Sequence, residues 1–132
     1  MIKVVCALIK KEDKVLIAKR TTGDTNVYGK WEFPGGKVEI NETEESAIER
    51  EIKEEFEIEI KAKKFITNNI CKYPKKVIDL RLYECDYISG DIKLNDHLEY
   101  KWVRINELLN YDLAEADIAL ANYLRIEMIK TP

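Results

Sequence analysis

The stretch from Trp31 to Glu39, WEFPGGKVE, places a proline and two adjacent glycines directly ahead of a run rich in glutamate. Gly35 and Gly36 allow backbone conformations that a side chain would forbid, so their amides and carbonyls can approach a ligand closely. A helix is predicted to follow at once, with Asn41 as its N-cap and Glu44 completing a capping box. The sequence therefore predicts a tight turn joined to an acidic helix.

An apolar residue recurs at every fourth position of this predicted helix, which gives it one buried stripe. The members of the stripe are Ile48, Ile52 and Phe56. Glu51, Glu54 and Glu55 lie on one side of the helix because their spacing is i, i+3, i+4. That side borders the stripe, and crowded, partly desolvated carboxylates raise each other's pKa unless a cation neutralises them. Carboxylates with a nearby main-chain carbonyl are ligands that Mg²⁺ accepts. A Glu-rich helix taken alone is more often a solvated acidic face, and the glycine turn ahead of this one shifts the balance towards a metal site.

The spacing of Gly36, Glu42 and the run from Arg50 to Glu55 resembles the Nudix box, which fixes six positions across twenty residues. In the family pattern a glycine follows where this chain has Glu57. That glycine ends the helix and carries no chemistry. The departure therefore concerns how the helix ends and not the chemistry that the resemblance implies.

Two further stretches narrow the resemblance. Trp31 to Glu39 resembles the MutT-type branch of the family, which hydrolyses nucleoside triphosphates, and residues 111–118 resemble the base-recognition segment of its bacterial CTP pyrophosphohydrolases. The resemblance implies a single Nudix domain over residues 1–132, an α/β/α sandwich with a mixed β-sheet. It also implies hydrolysis of a nucleoside triphosphate to a nucleoside monophosphate and pyrophosphate.

The resemblance further implies a metal site and a set of catalytic residues. The expected metal ligands are the Gly35 carbonyl and the carboxylates of Glu51, Glu54 and Glu55, with Mg²⁺ as the ion and Mn²⁺ as an alternative. Arg50 is expected to orient a metal carboxylate through Glu54, four residues on, with an ordinary surface ion pair as the alternative. Glu42 is expected to brace the junction between loop and helix.

The general base is placed by the resemblance at Asp96, six residues before Trp102, where the family usually carries Glu. Glu99 in the same predicted loop is the reserve candidate, and a box glutamate is a third. The full set of expected catalytic residues is Arg50, Glu51, Glu54, Asp96 and Glu99.

Substrate contacts are expected from five residues, namely Arg20, Phe33, Lys37, Lys76 and Asp117. Arg20 ends a predicted strand, and the resemblance directs its guanidinium at phosphate, whereas a solvated strand end is the alternative. Lys76 aligns with a base-stacking arginine of the branch, but a lysine cannot stack as a planar cation. Phe33 is a candidate packing surface for the base.

Asp117 stands where hydrolases of oxidised guanine nucleotides carry an asparagine. An ionised carboxylate only accepts hydrogen bonds, so Asp117 favours a base edge that offers a donor, such as the exocyclic amine of cytosine. A helix-capping role is the alternative.

Alternating and apolar patterns predict the remaining elements. Two hairpins pair Ile2–Lys10 with Lys14–Arg20, and Ile58–Tyr73 with Lys76–Tyr87; the first strand is apolar enough to be central. A polar loop at 21–30, a strand Glu99–Ile105, a short helical segment Glu107–Leu109 capped by Asn106, and a closing helix Glu115–Lys130 complete the chain. The apolar positions assigned to the core face of that helix are Ile118, Leu120, Ala121, Leu124, Ile126 and Met128.

Composition limits the partners. A chain of 132 residues with 45% hydrophobic residues fits one domain, and a net charge of −3 with both signs interspersed argues against a nucleic-acid polymer. The apolar run Val4–Ile9 is too short for a membrane span or a cleavable signal, and three cysteines without metal-ligand spacing are expected to be reduced. We expect a cytoplasmic monomer or homodimer with no membrane partner.

His97 is the only histidine, and no Ser, Cys or Lys lies in a recognised nucleophile motif. Ser-His and Cys-His mechanisms and zinc hydrolysis are therefore disfavoured. His97 lies in a predicted polar loop and is expected to be a surface or supporting residue. Metal-assisted phosphoryl chemistry by carboxylates remains.

Two alternatives to the main prediction stay open. A catalytically silent Nudix fold could bind a nucleotide as a sensor or partner module, although lost activity usually shows as lost box carboxylates and all of them are present. An active enzyme could instead take 8-oxo-dGTP, a nucleotide sugar, a dinucleoside polyphosphate or capped RNA. The last three substrates generally require recognition elements for which the chain has little room.

Overall fold

The computed structural model describes residues 1–21 and 28–130, the last three of them by backbone alone. Most of the predicted loop at 21–30 and the side chain of Met128 therefore lie outside the described residues. The strands are β1 (Ile2–Lys11), β2 (Lys14–Arg20), β3 (Trp31–Glu32), β4 (Gly35–Lys37), β5 (Glu59–Tyr73), β6 (Lys76–Ser89) and β7 (His97–Val103). The helices are α1 (Glu44–Phe56) and α2 (Glu115–Lys130), with a 3₁₀ segment at Ile105–Asn110.

The strands form one mixed sheet with the order β3-β2-β1-β6-β5, in which β4 also pairs with β1 and β7 with β2. The β1 and β6 strands are parallel, and the other pairs are antiparallel. The β1 and β2 strands pair with each other only next to the turn that joins them. Farther from that turn, β1 pairs with β4, while β2 pairs with β3 and β7. The strand β4, which contains Gly35 and Gly36, therefore lies next to β1 and also against helix α1.

Two hydrophobic cores lie on opposite faces of the sheet, one under α1 and one under α2. Successive residues of β1 feed them alternately: Val5 and Ala7 pack towards α1, while Cys6 and Leu8 pack towards α2. A strand buried on both faces must be apolar throughout. The predicted central position of β1, both hairpins and the α/β/α sandwich with a mixed sheet are confirmed.

The start of α1 differs from the prediction, and its end shows how the chain manages without the family glycine. Helix α1 is capped by Thr43, whose side chain accepts from the Ser46 N–H at 3.1 Å. The predicted cap, Asn41, has φ 65°, a left-handed conformation that an N-cap does not adopt. The family glycine position, Glu57, ends α1 in the left-handed region at φ 56°.

The C-terminal third follows the predicted order of elements with shifted ends. The strand around Trp102 begins earlier, at His97, and the 3₁₀ segment is capped by Arg104, not by Asn106. In α2 the buried apolar residues are Leu120, Ala121 and Leu124, while Ile118 and Ile126 are 39% and 48% exposed, contrary to the prediction. Among the described residues, no helix combines the length and the apolar character that crossing a membrane requires.

Candidate active site

The two glycines of β4 are required by close approach on both sides of the strand. A Cβ at Gly35 would overlap the main-chain carbonyl of Val5 in β1, and a Cβ at Gly36 would overlap the carboxylate of Glu51. A side chain at Gly35 would push β4 away from β1, whereas a side chain at Gly36 would displace the carboxylate of Glu51. The glycine pair therefore lets the acidic side of α1 lie directly against the sheet.

Arg50 organises the acidic side of α1. Its guanidinium binds Glu42 in a fork, with Nε–Oε2 2.6 Å and Nη2–Oε1 2.9 Å. The same group reaches Glu51 at 2.9 Å, Glu54 at 3.3 Å and the Lys37 carbonyl at 3.2 Å. The Arg50 hydrogen bonds, with one from the Glu39 N–H, lower the pKa of Glu42 to about 2. Glu42 thus braces the junction of β4 and α1, as predicted, and Arg50 contacts two of the box carboxylates.

Glu51 and Glu55 form a crowded pair of carboxyl groups. The pKa of Glu55 is raised to about 9, first by burial, then by a hydrogen bond with Glu51 and that group's charge, with further contributions from Glu32 and Asp96. Its side chain is 14% exposed, whereas that of Glu54 is 60% exposed. The expected mutual elevation of pKa is therefore found at Glu55, and Glu54 is the outward member of the trio.

The donor set suits a hard cation. Among the described residues, no three His, Cys, Asp or Glu side chains surround a common point as a preformed metal cluster would. The groups at hand are carboxylate oxygens, which Mg²⁺ accepts. Burial is the main cause of the raised pKa of Glu55, and a cation between Glu51 and Glu55 would offset the further contribution from the charge of Glu51. The residues fit a divalent ion provided that Glu54, held here by one 3.3 Å bond, turns towards the pair.

Asp96 lies in a loop that is fastened to the C-terminal end of α1. Asn95 donates twice to this end, from its main-chain N–H to the Glu55 carbonyl at 3.0 Å and from its side chain to the Glu54 carbonyl at 2.8 Å. Thr21 donates to the Asp96 carbonyl at 2.7 Å. Asp96 is exposed, and its charge contributes to the raised pKa of Glu55. The loop therefore brings Asp96 near the carboxylate pair.

Glu99 does not share this loop, contrary to the prediction. It lies in β7 opposite Lys19, whose ammonium sits over the ring of Trp31 on the α2 side of the sheet. Directly opposed residues of an antiparallel pair share a face. The Glu99 side chain thus projects from the face opposite Glu55, which removes the physical reason for choosing it as a reserve base.

Arg20, Glu32 and His97 form a polar chain on the α1 side of the sheet. Arg20 Nη1 donates to Glu32 Oε1 at 2.7 Å, and Glu32 Oε2 lies 2.9 Å from His97 Nε2. His97 is 9% exposed and stacks on Phe56, so the prediction of a surface residue is wrong and a supporting role remains. Glu32 was missed, although a carboxylate between the apolar neighbours Trp31 and Phe33 is a signal of a buried, partnered charge.

Asp117, near the start of α2, contacts the chain next to Glu32 from the α2 side of the sheet. It is 6% exposed, and its Oδ2 accepts from the Phe33 N–H at 2.9 Å. Burial, and then the charge of Glu32, raise the pKa of Asp117 to about 8. The hydrogen bond to Phe33 disfavours a purely helix-capping role. The raised pKa also changes the premise of an ionised Asp117, because a neutral carboxyl group both donates and accepts.

The remaining predicted substrate contacts lie at different places. The ring of Phe33 is buried in the α2-side core and therefore does not offer an open surface on which a base could stack. Lys37 is exposed at the end of β4, next to Arg50. Lys76 lies at the tip of the β5–β6 hairpin, with its ammonium over the ring of Tyr73. The pKa of Tyr73 is raised by burial first and then by the charges of Cys71, Glu115 and Asp117.

Known proteins resemble this chain over nearly its whole length. Residues 1–124 match the family described as NUDIX domain. The CTP pyrophosphohydrolase of Escherichia coli is 34% identical over 120 residues, which cover 91% of this chain and 88% of that protein. The solution structure of the E. coli ORF135 protein superposes with a TM-score of 0.90 at 32% identity, covering 100% of this chain and 94% of that one. The MutT protein from Methanosarcina mazei superposes with a TM-score of 0.83 at 26% identity, covering 99% and 96%.

The chain therefore belongs to the Nudix family. These relatives identify it as a hydrolase of the MutT type. The glycines of β4, the acidic side of α1 and the contacts of Arg50 agree with this assignment.

Proposed function

We propose that this protein is a Mg²⁺-dependent nucleoside triphosphate pyrophosphohydrolase. It cleaves (d)NTPs to a nucleoside monophosphate and pyrophosphate, with (d)CTP or a modified or oxidised nucleotide as the preferred substrate. The observation that carries the proposal is the Glu51–Glu55 pair, two carboxyl groups forced together in a partly buried position beside Gly36. Two ionised carboxylates held this close repel each other, and a bound cation removes that repulsion.

The chain's own groups divide the work of metal binding. Glu51, Glu54, Glu55 and the Gly35 carbonyl are the proposed ligands, and Mn²⁺ is an alternative to Mg²⁺. Arg50 fixes Glu51 in orientation at 2.9 Å and contacts Glu54 at 3.3 Å, while Glu42 holds Arg50. When bound, a divalent cation would polarise the phosphates, offset the charge of the leaving nucleoside monophosphate and lower the pKa of a bound water.

Asp96 is the proposed general base for the water that attacks the β-phosphorus. Its loop is tied to the C-terminal end of α1, so the base and the carboxylates belong to one connected unit. A positioned base near its substrate contributes roughly 10²–10⁴-fold to such a reaction. Arg20 and Lys37 supply positive charge for the triphosphate, Arg20 as a guanidinium fork and Lys37 as a point charge.

Asp117 is the proposed reader of the base, with Phe33 packed beneath it and Lys76 on the hairpin nearby. The Phe33 N–H occupies Oδ2, which leaves Oδ1 for a ligand. An ionised Oδ1 accepts from the exocyclic amine of cytosine, whereas a protonated Oδ1 donates to the adjacent ring nitrogen. Either state therefore makes one hydrogen bond with cytosine, whereas an edge with two adjacent N–H donors suits only the ionised state. The similarity to a protein named CTP pyrophosphohydrolase supports the assignment to cytosine.

A pyrophosphate-release screen over normal, oxidised and methylated (d)NTPs tests the proposal. Glu54→Gln is expected to abolish Mg²⁺-dependent release without loss of the fold, because it removes a ligand and also relieves like-charge repulsion on α1. Glu45→Gln is the matched control: the same charge change on the same helix, at an exposed residue of the first turn. It should leave turnover unchanged.

Two results would contradict the proposal: full turnover by Glu54→Gln, or undiminished rates in EDTA. Thermal melting separates the silent nucleotide-binding alternative. That alternative requires stabilisation by nucleotides without pyrophosphate release from any of them, because a ligand that binds the folded state raises its melting temperature by mass action.

A further inference from the structure

His97 reaches the active-site face because of an irregularity in β7. The ladder between β2 and β7 runs Ala18↔Tyr100 and Lys19↔Glu99, and then slips by one residue so that Arg20 faces His97. Regular alternation would pair Arg20 with residue 98 and turn His97 to the α2 side. The bulge instead places the His97 ring on the same face as Arg20 and α1, and bulges near active sites commonly redirect a side chain in this way.

The two ring nitrogens of His97 face the two halves of the site. Nε2 lies 2.9 Å from Glu32, the partner of Arg20. Nδ1 lies 3.8 Å from Glu55 Oε2, which is too far for a hydrogen bond. The ring is fixed between them because it stacks on Phe56, with the two centroids 5.0 Å apart and the planes inclined by 20°.

Nδ1 is a buried polar atom without a hydrogen-bond partner among the described residues. Such atoms are rare in folded proteins, and each one needs a reason. A carboxylate can only accept, so the hydrogen on Nε2 points at Glu32 when Glu32 is ionised. The orphan nitrogen then faces Glu55, one of the proposed metal ligands.

We propose that His97 is a positioning residue that joins the phosphate side of the site to its metal side. Through Nε2 it holds Glu32, and thereby the guanidinium of Arg20. Through Nδ1, whose lone pair lies 3.8 Å from Glu55 Oε2, it disfavours orientations that bring an ionised Glu55 carboxylate closer to the ring, and so directs that carboxylate away from His97. The inference rests on the proposed function for the roles of Arg20 and Glu55. It predicts two effects that can be separated, because each nitrogen serves a different partner.

Three substitutions separate the two nitrogens. His97→Phe keeps a ring on Phe56 and removes both polar atoms. His97→Gln retains an amide near the position of Nε2, and His97→Asn retains one near the position of Nδ1, since their side chains differ by one methylene. Leu98→Ala is the matched control, since it changes the exposed neighbouring residue of the bulged strand.

Two readouts belong to the two partners. Binding of Mn²⁺ alone to the nucleotide-free protein, followed by electron paramagnetic resonance, reports on Glu55. KM for the best (d)NTP of the screen reports on the Arg20–Glu32 side, and kcat is measured alongside it.

His97→Phe should weaken Mn²⁺ binding roughly 10–100-fold, the usual loss when a residue that supports a metal ligand is removed, and should also raise KM. His97→Asn should recover Mn²⁺ affinity but not KM, and His97→Gln should recover KM but not Mn²⁺ affinity. Leu98→Ala should match the wild type in both.

The inference is overturned if His97→Phe keeps wild-type Mn²⁺ affinity and KM. It is equally overturned if the three His97 variants lose both quantities together in proportion to their melting temperatures, which is the result of a purely structural role. Failure of the proposed function has a different signature, namely a wild type that releases no pyrophosphate from any nucleotide. In that case the Mn²⁺ measurement still tests Nδ1, and the melting shift caused by a non-hydrolysable nucleoside triphosphate replaces KM as the test of Nε2.

Discussion

Asn95 donates its side-chain amide to the main-chain carbonyl of Glu54 at 2.8 Å, in the last turn of the helix that carries the acidic cluster. The last carbonyls of a helix lack partners within the helix, and here the loop before β7 supplies them. The main-chain N–H of Lys93 also donates to the Phe56 carbonyl at 2.9 Å. The loop that carries Asp96 is thus anchored to the helix that carries the proposed metal ligands.

Removing this anchor should impair catalysis more than substrate binding. We expect Asn95→Ala to lower kcat roughly tenfold or more with little change in KM, because a small displacement of a catalytic group can cost as much as 10²-fold. The lost hydrogen bond should lower the free energy of unfolding by about 0.5–1.5 kcal/mol. Steady-state kinetics and urea denaturation measure the two effects. Asn110→Ala, the same change at an exposed residue outside the site, should alter neither; a rise in KM alone for Asn95→Ala would contradict the anchor role.

The general base can now be tested with a matched pair. Asp96→Asn should cost roughly 10²–10⁴-fold in kcat, the usual loss of a general base, and the loss should persist across a pH series. Glu99→Gln removes a similar charge three residues away but on the opposite face of the sheet, so its kcat should stay near that of the wild type. If Asp96→Asn also retains wild-type kcat, the base must be sought among the carboxylates of α1.

Local patterns predicted most of the fold, because strand alternation, helical periodicity and turn residues such as Gly35 and Gly36 depend only on residues that are close together in the sequence. They failed where pairing between distant strands decides the outcome. His97 looks like a loop residue because the slip opposite Arg20 depends on how β2 and β7 align, and Glu32 gains its importance only when those partners meet. Asn41 and Thr43 are both good helix caps, so composition alone could not choose between them.

Glu57 offers a test of how α1 ends. It occupies the left-handed region at φ 56°, where a side chain is disfavoured and glycine is not. We expect Glu57→Gly to raise the free energy of unfolding by about 1 kcal/mol and to raise the melting temperature by a few degrees.

Glu57→Ala is the control, because alanine keeps the Cβ and removes only the exposed carboxylate with its 3.9 Å contact to Lys93. It should not stabilise the protein. Both variants should keep wild-type kinetics, as Glu57 carries no chemistry. Equal stabilisation by alanine and glycine would mean that charge, and not backbone conformation, limits stability there.

Asp117 should make base preference depend on pH. Its pKa of about 8 keeps the carboxyl group mostly neutral at pH 6, where it donates to a ring nitrogen such as that of cytosine. Above pH 8 it is ionised and accepts, which suits the adjacent N–H donors of a guanine-type edge. The ratio of kcat/KM for dCTP to that for 8-oxo-dGTP should therefore fall between pH 6 and pH 9. Titration of the catalytic carboxylates cancels in this ratio because it affects both substrates alike.

Asp117→Asn should remove that pH dependence and shift the ratio roughly tenfold or more, since a matched hydrogen bond in a buried site is worth about 1–3 kcal/mol. Stability gives an independent check. A carboxyl group whose pKa is higher in the folded than in the unfolded state stabilises the fold fully below about pH 4, and that contribution is lost as the pH rises towards 8. The wild type should therefore lose more melting temperature between pH 5 and pH 9 than Asp117→Asn does. If the variant instead melts lower at every pH and keeps the wild-type substrate ratio, Asp117 serves only to hold the Phe33 backbone, and the base is read elsewhere.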